Sequence, residues 1–393
     1  MKPSTKPIVI IGTGLAGYNL AKELRKIDTN TPLVLVTQDD GHFYSKPQLS
    51  TAFFYGKNPK ELIITDVNTM QTQLDATIYT HTSVCDIDSK MQKISLDSPS
   101  GQHEIEYRDL VLALGASPKP FPLLAQHPRN YRINNRLDFA HFEEQLAHIE
   151  HLCIIGSGLV GCEFAHDFVK KVKQISLITI DPQPLHNLVP EQVGKALQRA
   201  LENSGITFYT NARIESISSS AEKVALTLNS QDNLIADAVL TAIGLAPNCD
   251  LAKKAGIQTS EGIVVDSSLK TNQPHIYALG DCAQINGICR QYVAPILQSA
   301  RALAQTLTTQ IPCAVSFPPT PISLKVQTYP VIVMPPSQKG QWQFESDGEG
   351  IKALFMDDEG NLKGYALGGK AVEQRQECLK SFMQAQQNVC LTA

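Results

Sequence analysis

Apolar and polar positions follow a strand, turn and helix pattern that occurs twice in the chain. An apolar run at 7–12 predicts a buried strand, and apolar side chains then recur at helical spacing over 14–27. A further apolar run at 33–36 predicts the next strand of a β–α–β unit. The second copy has predicted strands at 152–156 and 175–180 and a predicted helix at 158–171. The pattern predicts an α/β protein with two Rossmann-like domains.

Both turns between strand and helix carry the same glycine spacing. They are Gly12-Thr13-Gly14-Leu15-Ala16-Gly17 and Gly156-Ser157-Gly158-Leu159-Val160-Gly161. In such a turn the first glycine makes the tight bend, the second lets the backbone approach a pyrophosphate, and the third lets helix and strand pack closely. The N–H groups at the helix N-terminus then face the phosphates. Because one unit binds one dinucleotide, we expect two bound nucleotides, which suits electron transfer between a nicotinamide and a flavin.

Two apolar runs predict crossovers between domains. The runs at 110–114 and 238–243 are each followed by a glycine and then a proline, the glycines being Gly115 and Gly244. Such breaks are expected where the chain leaves one domain for another.

The last third of the chain predicts a return to the first domain and then a small third domain. A strand at 276–279 precedes an amphipathic helix predicted over 297–307. Beyond 318 the alternating strands at 331–333 and 351–356, followed by a closing helix, predict a small α+β domain.

Composition and charge narrow the function classes. The chain has 393 residues, 42% hydrophobic and 18% charged, which predicts two or three globular domains. Its net charge of −4 argues against nucleic-acid binding. It lacks an apolar stretch of about 18 residues, so we expect no membrane insertion. The first strand begins too early to leave room for a signal peptide, so a cytoplasmic protein is expected.

The nine cysteines are scattered without CxxC, zinc or iron–sulfur spacing. We therefore expect reduced thiols and no metal site. Cys162 and Cys282 are interpreted as small buried apolar residues. Trp342, the single tryptophan, is interpreted as a core residue rather than as an electron relay.

An acidic residue about twenty positions after the glycines is expected to bind the ribose hydroxyls of a dinucleotide. After the second motif this residue is Asp181. After the first, the ligand stays open between Asp39, Asp40 and Thr37, and a solvated turn is the alternative. No Arg or Lys occurs over 179–187 to bind a 2′-phosphate, which favours NADH over NADPH.

Over residues 6–310 the chain resembles the FAD-dependent pyridine nucleotide–disulfide oxidoreductase superfamily. The resemblance rests on the two glycine motifs, the two strand–Gly–Pro segments and the pair Gly280-Asp281 near the end of this region. In that superfamily the first unit binds FAD, and an inserted second unit binds the nicotinamide cofactor. The implied domains are an FAD-binding domain at 1–119 and 246–318, an NADH-binding domain at 120–245 and a C-terminal α+β domain at 319–393.

One loop indicates the branch of the superfamily to which the chain is similar. Its sequence is Tyr44-Ser45-Lys46-Pro47-Gln48-Leu49-Ser50. Disulfide reductases carry a CxxxxC pair near this point, which accepts electrons from the flavin. Because this loop contains no cysteine, the flavin is expected to pass its electrons to an acceptor outside the protein. The loop is similar to the flavin-side loop of the rubredoxin and ferredoxin reductases of oxygenase systems. A lysine beside the flavin ring would stabilise negative charge, and a proline would make an apolar contact. A surface loop is the alternative.

The resemblance also implies roles for single residues. Glu163 would lie near the nicotinamide and the flavin and pair with Lys46 as the catalytic residues, or else serve as a first-turn acid at the helix dipole. The helix near 295 would point its positive end at the flavin. Implied FAD contacts are Gly12, Gly14, Leu15, Ala16, Gly17, Asp39, Lys46, Pro47, Ala113, Gly115, Asp281, Val293 and, more weakly, Lys325, for which a solvated lysine is the alternative. Implied NADH contacts are Gly156, Gly158, Leu159, Val160, Gly161, Asp181 and Gly244.

The branch implies transfer of electrons from NADH through FAD to rubredoxin, a small acidic carrier that would serve an alkane hydroxylase. Lys46, Lys119 and Lys325 are candidates for a basic patch that attracts it. A monomer or weak homodimer is expected. Alternative acceptors are a [2Fe–2S] ferredoxin of a ring-hydroxylating oxygenase and a flavorubredoxin. An NADH oxidase and a non-catalytic NADH-gated flavoprotein are less favoured, the oxidase because no cysteine occurs near position 42.

Overall fold

The computed structural model describes residues 6–220 and 223–392. The chain divides into two compact units, each assembled from three stretches of chain. The first comprises Met1–Lys46, Lys60–Ser117 and Leu245–Pro318, and the second comprises Pro47–Pro59, Pro118–Gly244 and Pro319–Ala393. The chain changes units at five places, and two of them are the glycine–proline breaks that the sequence predicts as crossovers. The three-domain boundaries given above stay a prediction.

The first unit is built on a five-stranded parallel sheet. In spatial order its strands are Ile276–Ala278, Asp109–Leu112, Ile8–Ile11, Leu33–Val36 and Ala76–Tyr79. Most of these strands are continuous apolar runs, as expected for a parallel sheet covered on both faces. Helices Leu15–Ile27 and Val293–Thr309 pack against each other and bury Leu20, Leu24 and Leu303 completely or nearly so.

The second of these helices begins four residues before its predicted start at 297. Pro295 lies in its first turn, where the missing N–H removes no helical hydrogen bond and the fixed φ suits the helix. The proline therefore marks the beginning of this helix and does not interrupt it.

Smaller elements complete the first unit. One antiparallel sheet contains Ser83–Asp88, Lys93–Ser98 and Gly101–Glu106, and a second small sheet contains Ile263–Val265, Ala283–Ile285 and Ile288–Cys289. The remaining elements are the strand pair Phe43–Tyr44 and Ile63–Thr65 and the helices Val67–Leu74 and Asp250–Lys254. Short strands Ala116–Pro118 and Leu245–Pro247 lie at the two crossovers.

The second unit repeats the parallel plan. In spatial order its strands are Asn130–Tyr131, Ala238–Thr241, His151–Ile155, Gln174–Ile178 and Ile206–Tyr209. The helices are Arg136–Gln145, Leu159–Phe168 and Glu191–Asn203, and an antiparallel sheet contains Ile214–Ser219, Val224–Leu228 and Asn233–Ala236. The predicted strand over 175–180 ends at Ile178, and the predicted helix over 158–171 ends at Phe168.

The C-terminal part of the second unit is an antiparallel sheet with one helix, as the sequence predicts. In spatial order its strands are Ile322–Leu324, Val331–Met334, Leu362–Gly369, Gly350–Met356 and Gln341–Ser346. Helix Arg375–Thr392 packs on the central strand, where Tyr365, Leu367 and Phe382 form a small core. Among the helices that the structure describes, none is both long and apolar enough to cross a bilayer.

Candidate functional site

The turn after the first strand is closely packed at two glycines and open at the third. Gly12 has a φ of +114°, and a Cβ there would lie 2.3 Å from the carbonyl oxygen of Ala113. A Cβ at Gly17 would lie 1.9 Å from the Gly12 oxygen. A Cβ at Gly14 would meet nothing within 4 Å, and this residue is the N-cap of helix Leu15–Ile27, which no side chain caps. The first N–H groups of the helix are therefore available to an anion.

The turn of the second unit has the same geometry. Gly156 has a φ of +105°, and its Cβ would lie 2.5 Å from the oxygen of Ala242. A Cβ at Gly161 would lie 1.9 Å from the Gly156 oxygen, whereas Gly158 is open and caps helix Leu159–Phe168 without a side-chain bond. Each unit thus has one helix N-terminus without a side-chain cap, and its N–H groups are available to an anion. The contacts predicted for Leu15, Ala16, Leu159 and Val160 stay predictions.

In the first unit, Asp39 is the carboxylate tied to the glycine turn. Its Oδ1 accepts hydrogen bonds from Thr37 Oγ1 at 2.7 Å, from Gly41 N at 3.0 Å and from Thr13 Oγ1 at 3.4 Å. Asp40 instead accepts from the backbone N–H of His42. Among the three candidate ribose ligands, Asp39 therefore lies closest to the position expected for a ribose beside the turn. Its role in binding stays a prediction.

Asp181 occupies the corresponding place in the second unit. Ser157 Oγ donates to Thr179 Oγ1 at 2.9 Å, and the backbone N–H of Asp181 donates to the same Thr179 oxygen at 3.2 Å. Nearby, Lys195 Nζ donates to the Pro182 carbonyl at 2.7 Å. The sequence reasoning missed this lysine because it lies on the next helix, beyond the 179–187 window.

Asp281 lies at the end of the last parallel strand and next to the first glycine motif. It follows Gly280, whose Cβ would lie 2.7 Å from the Ala16 Cβ. Burial raises the pKa of Asp281, and the charge of Lys46 offsets part of this rise. Among the described residues no group donates a hydrogen bond to its carboxylate. A desolvated acceptor beside an anion-binding helix end suits a ligand that carries both phosphate and hydroxyl groups.

The helix Val293–Thr309 also begins without a side-chain cap. Its N-cap is Tyr292, and its first turn has no acidic residue. Tyr292 and Val293 are 43% and 39% exposed. The positive end of this helix is thus open to an electron-rich group, and its orientation toward the flavin stays a prediction.

Glycine is required by backbone conformation at both crossovers. Gly115 and Gly244 have φ values of +66° and +97°. The Gly115 carbonyl accepts from the Asn248 N–H at 3.1 Å, and the Gly244 carbonyl accepts from the N–H of the exposed Lys119 at 2.9 Å. Their predicted contacts with FAD and NADH stay predictions.

A buried carboxylate in the second unit holds the segment that begins at Pro47. Glu163 is 6% exposed, and its two oxygens accept from Ser50 Oγ and, at 3.0 Å, from the backbone N–H of Lys325. The Lys325 ammonium lies 4.0 Å from Glu163 Oε2 and donates to the Pro47 carbonyl at 2.7 Å. Glu163 and Lys325 were singled out by the sequence as separate residues, and the structure joins them. The predicted pairing of Glu163 with Lys46 stays a prediction.

Asp167 is a second buried carboxylate on the same helix, and the sequence reasoning missed it. It is 4% exposed and accepts backbone N–H bonds from Phe53 at 3.1 Å and Phe54 at 2.7 Å. Burial raises the pKa of Asp167 to about 6. Its position four residues after Glu163 places both acids on one helix face. An acidic pair at this spacing on a largely apolar helix was the available signal.

The described cysteines offer no reactive dithiol. None of the eight forms a disulfide. Cys162 and Cys282 are fully buried, and burial raises the pKa of both thiols, that of Cys282 to about 12. Trp342 is half-buried on the C-terminal sheet, where it packs edge-on against Phe355 at 5.1 Å. No group of three His, Cys, Asp or Glu side chains within the described ranges would hold a metal ion.

Residues 6–309 match the pyridine nucleotide-disulphide oxidoreductase family. The chain belongs to this family. Residues 314–382 match the rubredoxin binding C-terminal domain family. The predicted fold class and superfamily are therefore confirmed.

Two relatives align with this chain over nearly its whole length. It is 38% identical over 380 residues to the rubredoxin-NAD(+) reductase of Alcanivorax borkumensis, covering 96% of this chain and 98% of the relative. It is 39% identical over 378 residues to the rubredoxin-NAD(+) reductase of Acinetobacter baylyi, covering 94% and 96%. The crystal structure of NADH:rubredoxin oxidoreductase from Clostridium acetobutylicum superposes with a TM-score of 0.80 at 20% identity, covering 97% and 96%, which supports the fold alone.

Proposed function

We propose that this protein is an FAD-dependent oxidoreductase that passes electrons from NADH to rubredoxin. One observation carries the proposal. Two equivalent nucleotide-binding turns, typical of an enzyme that couples two dinucleotides, precede a segment that matches a rubredoxin binding domain over 314–382.

The first unit provides what FAD requires. The turn at Gly12, Gly14 and Gly17 and the uncapped helix behind it would bind the pyrophosphate. Asp281, beside the ribityl and phosphate region of FAD, would accept hydrogen bonds from the ribityl hydroxyls, because its carboxylate is desolvated and has no donor among the described residues. Asp39 would bind the adenosine ribose. When bound, FAD and NADH supply the redox chemistry, a hydride transfer followed by two one-electron transfers.

The chain's own residues would position this chemistry. Pro47 would lie against the flavin ring and Lys46 would stabilise negative charge on it. Glu163 accepts hydrogen bonds from Ser50 and from the Lys325 backbone, so it fastens the flavin-side loop to the helix that follows the NADH-binding turn. One helix would then hold the loop and, through the turn before it, the nicotinamide cofactor, and this would help to orient the two for hydride transfer.

Asp181 is expected to set the preference for NADH. Replacing it with alanine should lower the ratio of kcat/KM for NADH to that for NADPH by about tenfold or more, because the carboxylate binds ribose hydroxyls and repels a 2′-phosphate. Steady-state kinetics with both cofactors measures the ratio. Asp232→Ala, which removes an exposed carboxylate from the same unit, is the matched control. An unchanged ratio in Asp181→Ala would assign the selectivity elsewhere.

The acceptor is tested by turnover with different carriers. The FAD-loaded protein should oxidise NADH at a rate that saturates with a rubredoxin, and it should respond little to a [2Fe–2S] ferredoxin. The reason is the C-terminal segment that matches a rubredoxin binding domain. Turnover with the ferredoxin alone would replace the acceptor and keep the electron path. Turnover with neither carrier would contradict the proposal.

The proposed acceptor suggests which protein would use the electrons. Reduced rubredoxin would serve an alkane hydroxylase in the cytoplasm, and a flavorubredoxin is the alternative consumer. Lys46, Lys119 and Lys325 are the basic residues that we propose attract an acidic carrier. We expect a monomer or weak homodimer, because the long dimerisation domain of the disulfide reductases is replaced by the short C-terminal sheet.

A further inference from the structure

Helix Leu159–Phe168 carries a buried carboxylate to which the proposed function gives no role. Glu163 and Asp167 lie four residues apart on it, and both are almost inaccessible to solvent. The contacts of Glu163 hold Ser50 and Lys325, as described above. Asp167 hydrogen-bonds to the backbone of Phe53 and Phe54 instead. Burying a carboxylate costs free energy, so other groups must compensate the loss of hydration.

Both oxygens of Asp167 bind the backbone of the segment Pro47–Pro59. Oδ1 accepts from the Phe54 N–H at 2.7 Å, and Oδ2 accepts from the Phe53 N–H at 3.1 Å. The Phe53 ring packs on Phe139 and Phe168, with centroids 5.1 Å and 5.7 Å away. The middle of the segment is therefore fixed to the helix by two charged hydrogen bonds and by aromatic packing.

The same segment is fixed a few residues earlier. Ser50 Oγ donates to Glu163, and the Pro47 carbonyl accepts from Lys325 Nζ at 2.7 Å. The distance along the chain from Phe53 to Pro47 is only six residues, and Lys46–Thr51 forms a 3-10 helix. We therefore expect a shift at Phe53 to displace Pro47 as well.

We propose that Asp167 is a positioning residue for hydride transfer, which by holding the Phe53 and Phe54 N–H groups sets the place of Pro47. This inference rests on the proposed function, in which Pro47 lies against the flavin. Only the ionised carboxylate accepts both bonds. Once protonated, one oxygen becomes an O–H donor that faces an N–H donor, and one bond of the pair is lost.

Burial, more than the neighbouring charges, places this protonation near pH 6. Burial is the main reason that the pKa of Asp167 rises to about 6, the charge of Glu163 adds to the rise, and the two N–H bonds and Lys171 oppose it. Two further titratable groups lie beside the segment: the His166 ring is 5.8 Å from that of Phe54, and Lys171 Nζ is 5.1 Å from the Phe53 ring centroid. Burial and the charge of Lys170 lower the pKa of His166. Asp167 is thus ionised above about pH 6 and protonated below it.

Flavin reduction by NADH in the FAD-loaded protein tests the proposal. Rates are measured by rapid mixing at saturating NADH for the wild type and Asp167→Asn, whose amide mimics the protonated acid. The wild type should be roughly tenfold faster than the variant well above pH 6, and the two should converge below it. The NADH concentration at half-saturation should stay the same. His166→Gln is the control and should keep the wild-type dependence on pH.

A ratio of wild-type to Asp167→Asn rates that is one at all pH values would overturn the proposal, as would a constant ratio with no step near pH 6. Hydrogen exchange of the segment Pro47–Pro59 in the wild-type protein covers the case in which the variant does not fold. Its protection, corrected for the intrinsic rate, should fall as the pH drops through 6, and unchanged protection would also overturn the proposal. If NADH does not reduce the flavin at all, the proposed function fails, while the exchange result still decides whether Asp167 holds the segment.

Discussion

Replacing Gly14 with valine is expected to abolish stable FAD binding and to leave the apoprotein folded. Gly14 has a φ of −69° and a ψ of −169°, an extended conformation open to any residue, and a Cβ there meets nothing within 4 Å. The new side chain would instead occupy the space through which a pyrophosphate reaches the helix N–H groups. We expect the FAD dissociation constant to rise at least roughly hundredfold, the equivalent of about 3 kcal/mol. Flavin absorbance after purification and a fluorescence titration of the apoprotein measure it.

The matched control is the same substitution in the second unit. Gly158 is likewise an extended, uncapped N-cap with open space around it. Gly158→Val should retain FAD and lose reduction by NADH. Retention of FAD by Gly14→Val, or loss of FAD by Gly158→Val, would contradict the assignment of the two nucleotides to the two units. A circular dichroism spectrum and melting temperature of each apoprotein establish that both variants fold.

Glu163→Ala is expected to lower both stability and the rate of hydride transfer. The Ser50 hydroxyl is buried and the Lys325 N–H is partly so, and both lose their acceptor, which should lower the free energy of unfolding by about 2–4 kcal/mol. The flavin-side loop would then lose one of its fastenings to the helix, and flavin reduction by NADH should slow by roughly tenfold or more. Denaturant unfolding and rapid-mixing kinetics give the two quantities.

Glu144→Ala removes an exposed glutamate from another helix of the same unit and serves as the control. It should change the free energy of unfolding by less than about 0.5 kcal/mol and leave flavin reduction unchanged. If Glu163→Ala behaves like this control in both measurements, the fastening of the loop by Glu163 has no functional importance. A loss of stability with an unchanged rate would limit Glu163 to a structural role.

The sequence predicts those parts of the site that are local in the chain. The turns at Gly12 and Gly156 were predictable because the strand, the glycines and the helix are adjacent, and the required close contacts follow from backbone geometry. The acids Asp39 and Asp181 follow at a nearly fixed distance because the β–α–β unit has a nearly fixed length. The start of the helix at Val293 was less predictable, because Pro295 is compatible with either side of a helix boundary.

The contacts between distant segments could not be predicted. Glu163 and Lys325 are 162 residues apart, and Phe54 and Asp167 are 113 apart. No periodicity relates such positions, because they come together only when the C-terminal sheet and the segment Pro47–Pro59 pack in one unit. The carboxylates themselves were visible on the helix, but their partners are backbone N–H groups, which every residue except proline has and which therefore leave no trace in the sequence.

The central claim is that electrons from NADH leave this protein one at a time to rubredoxin, and a single turnover tests it most directly. The FAD-loaded protein is reduced without oxygen by one equivalent of NADH and is then mixed rapidly with excess oxidised rubredoxin. Two rubredoxins should be reduced per NADH, at a rate at least equal to that of steady-state turnover. Flavin that stays reduced in the presence of rubredoxin, and is reoxidised only when oxygen is admitted, would contradict it.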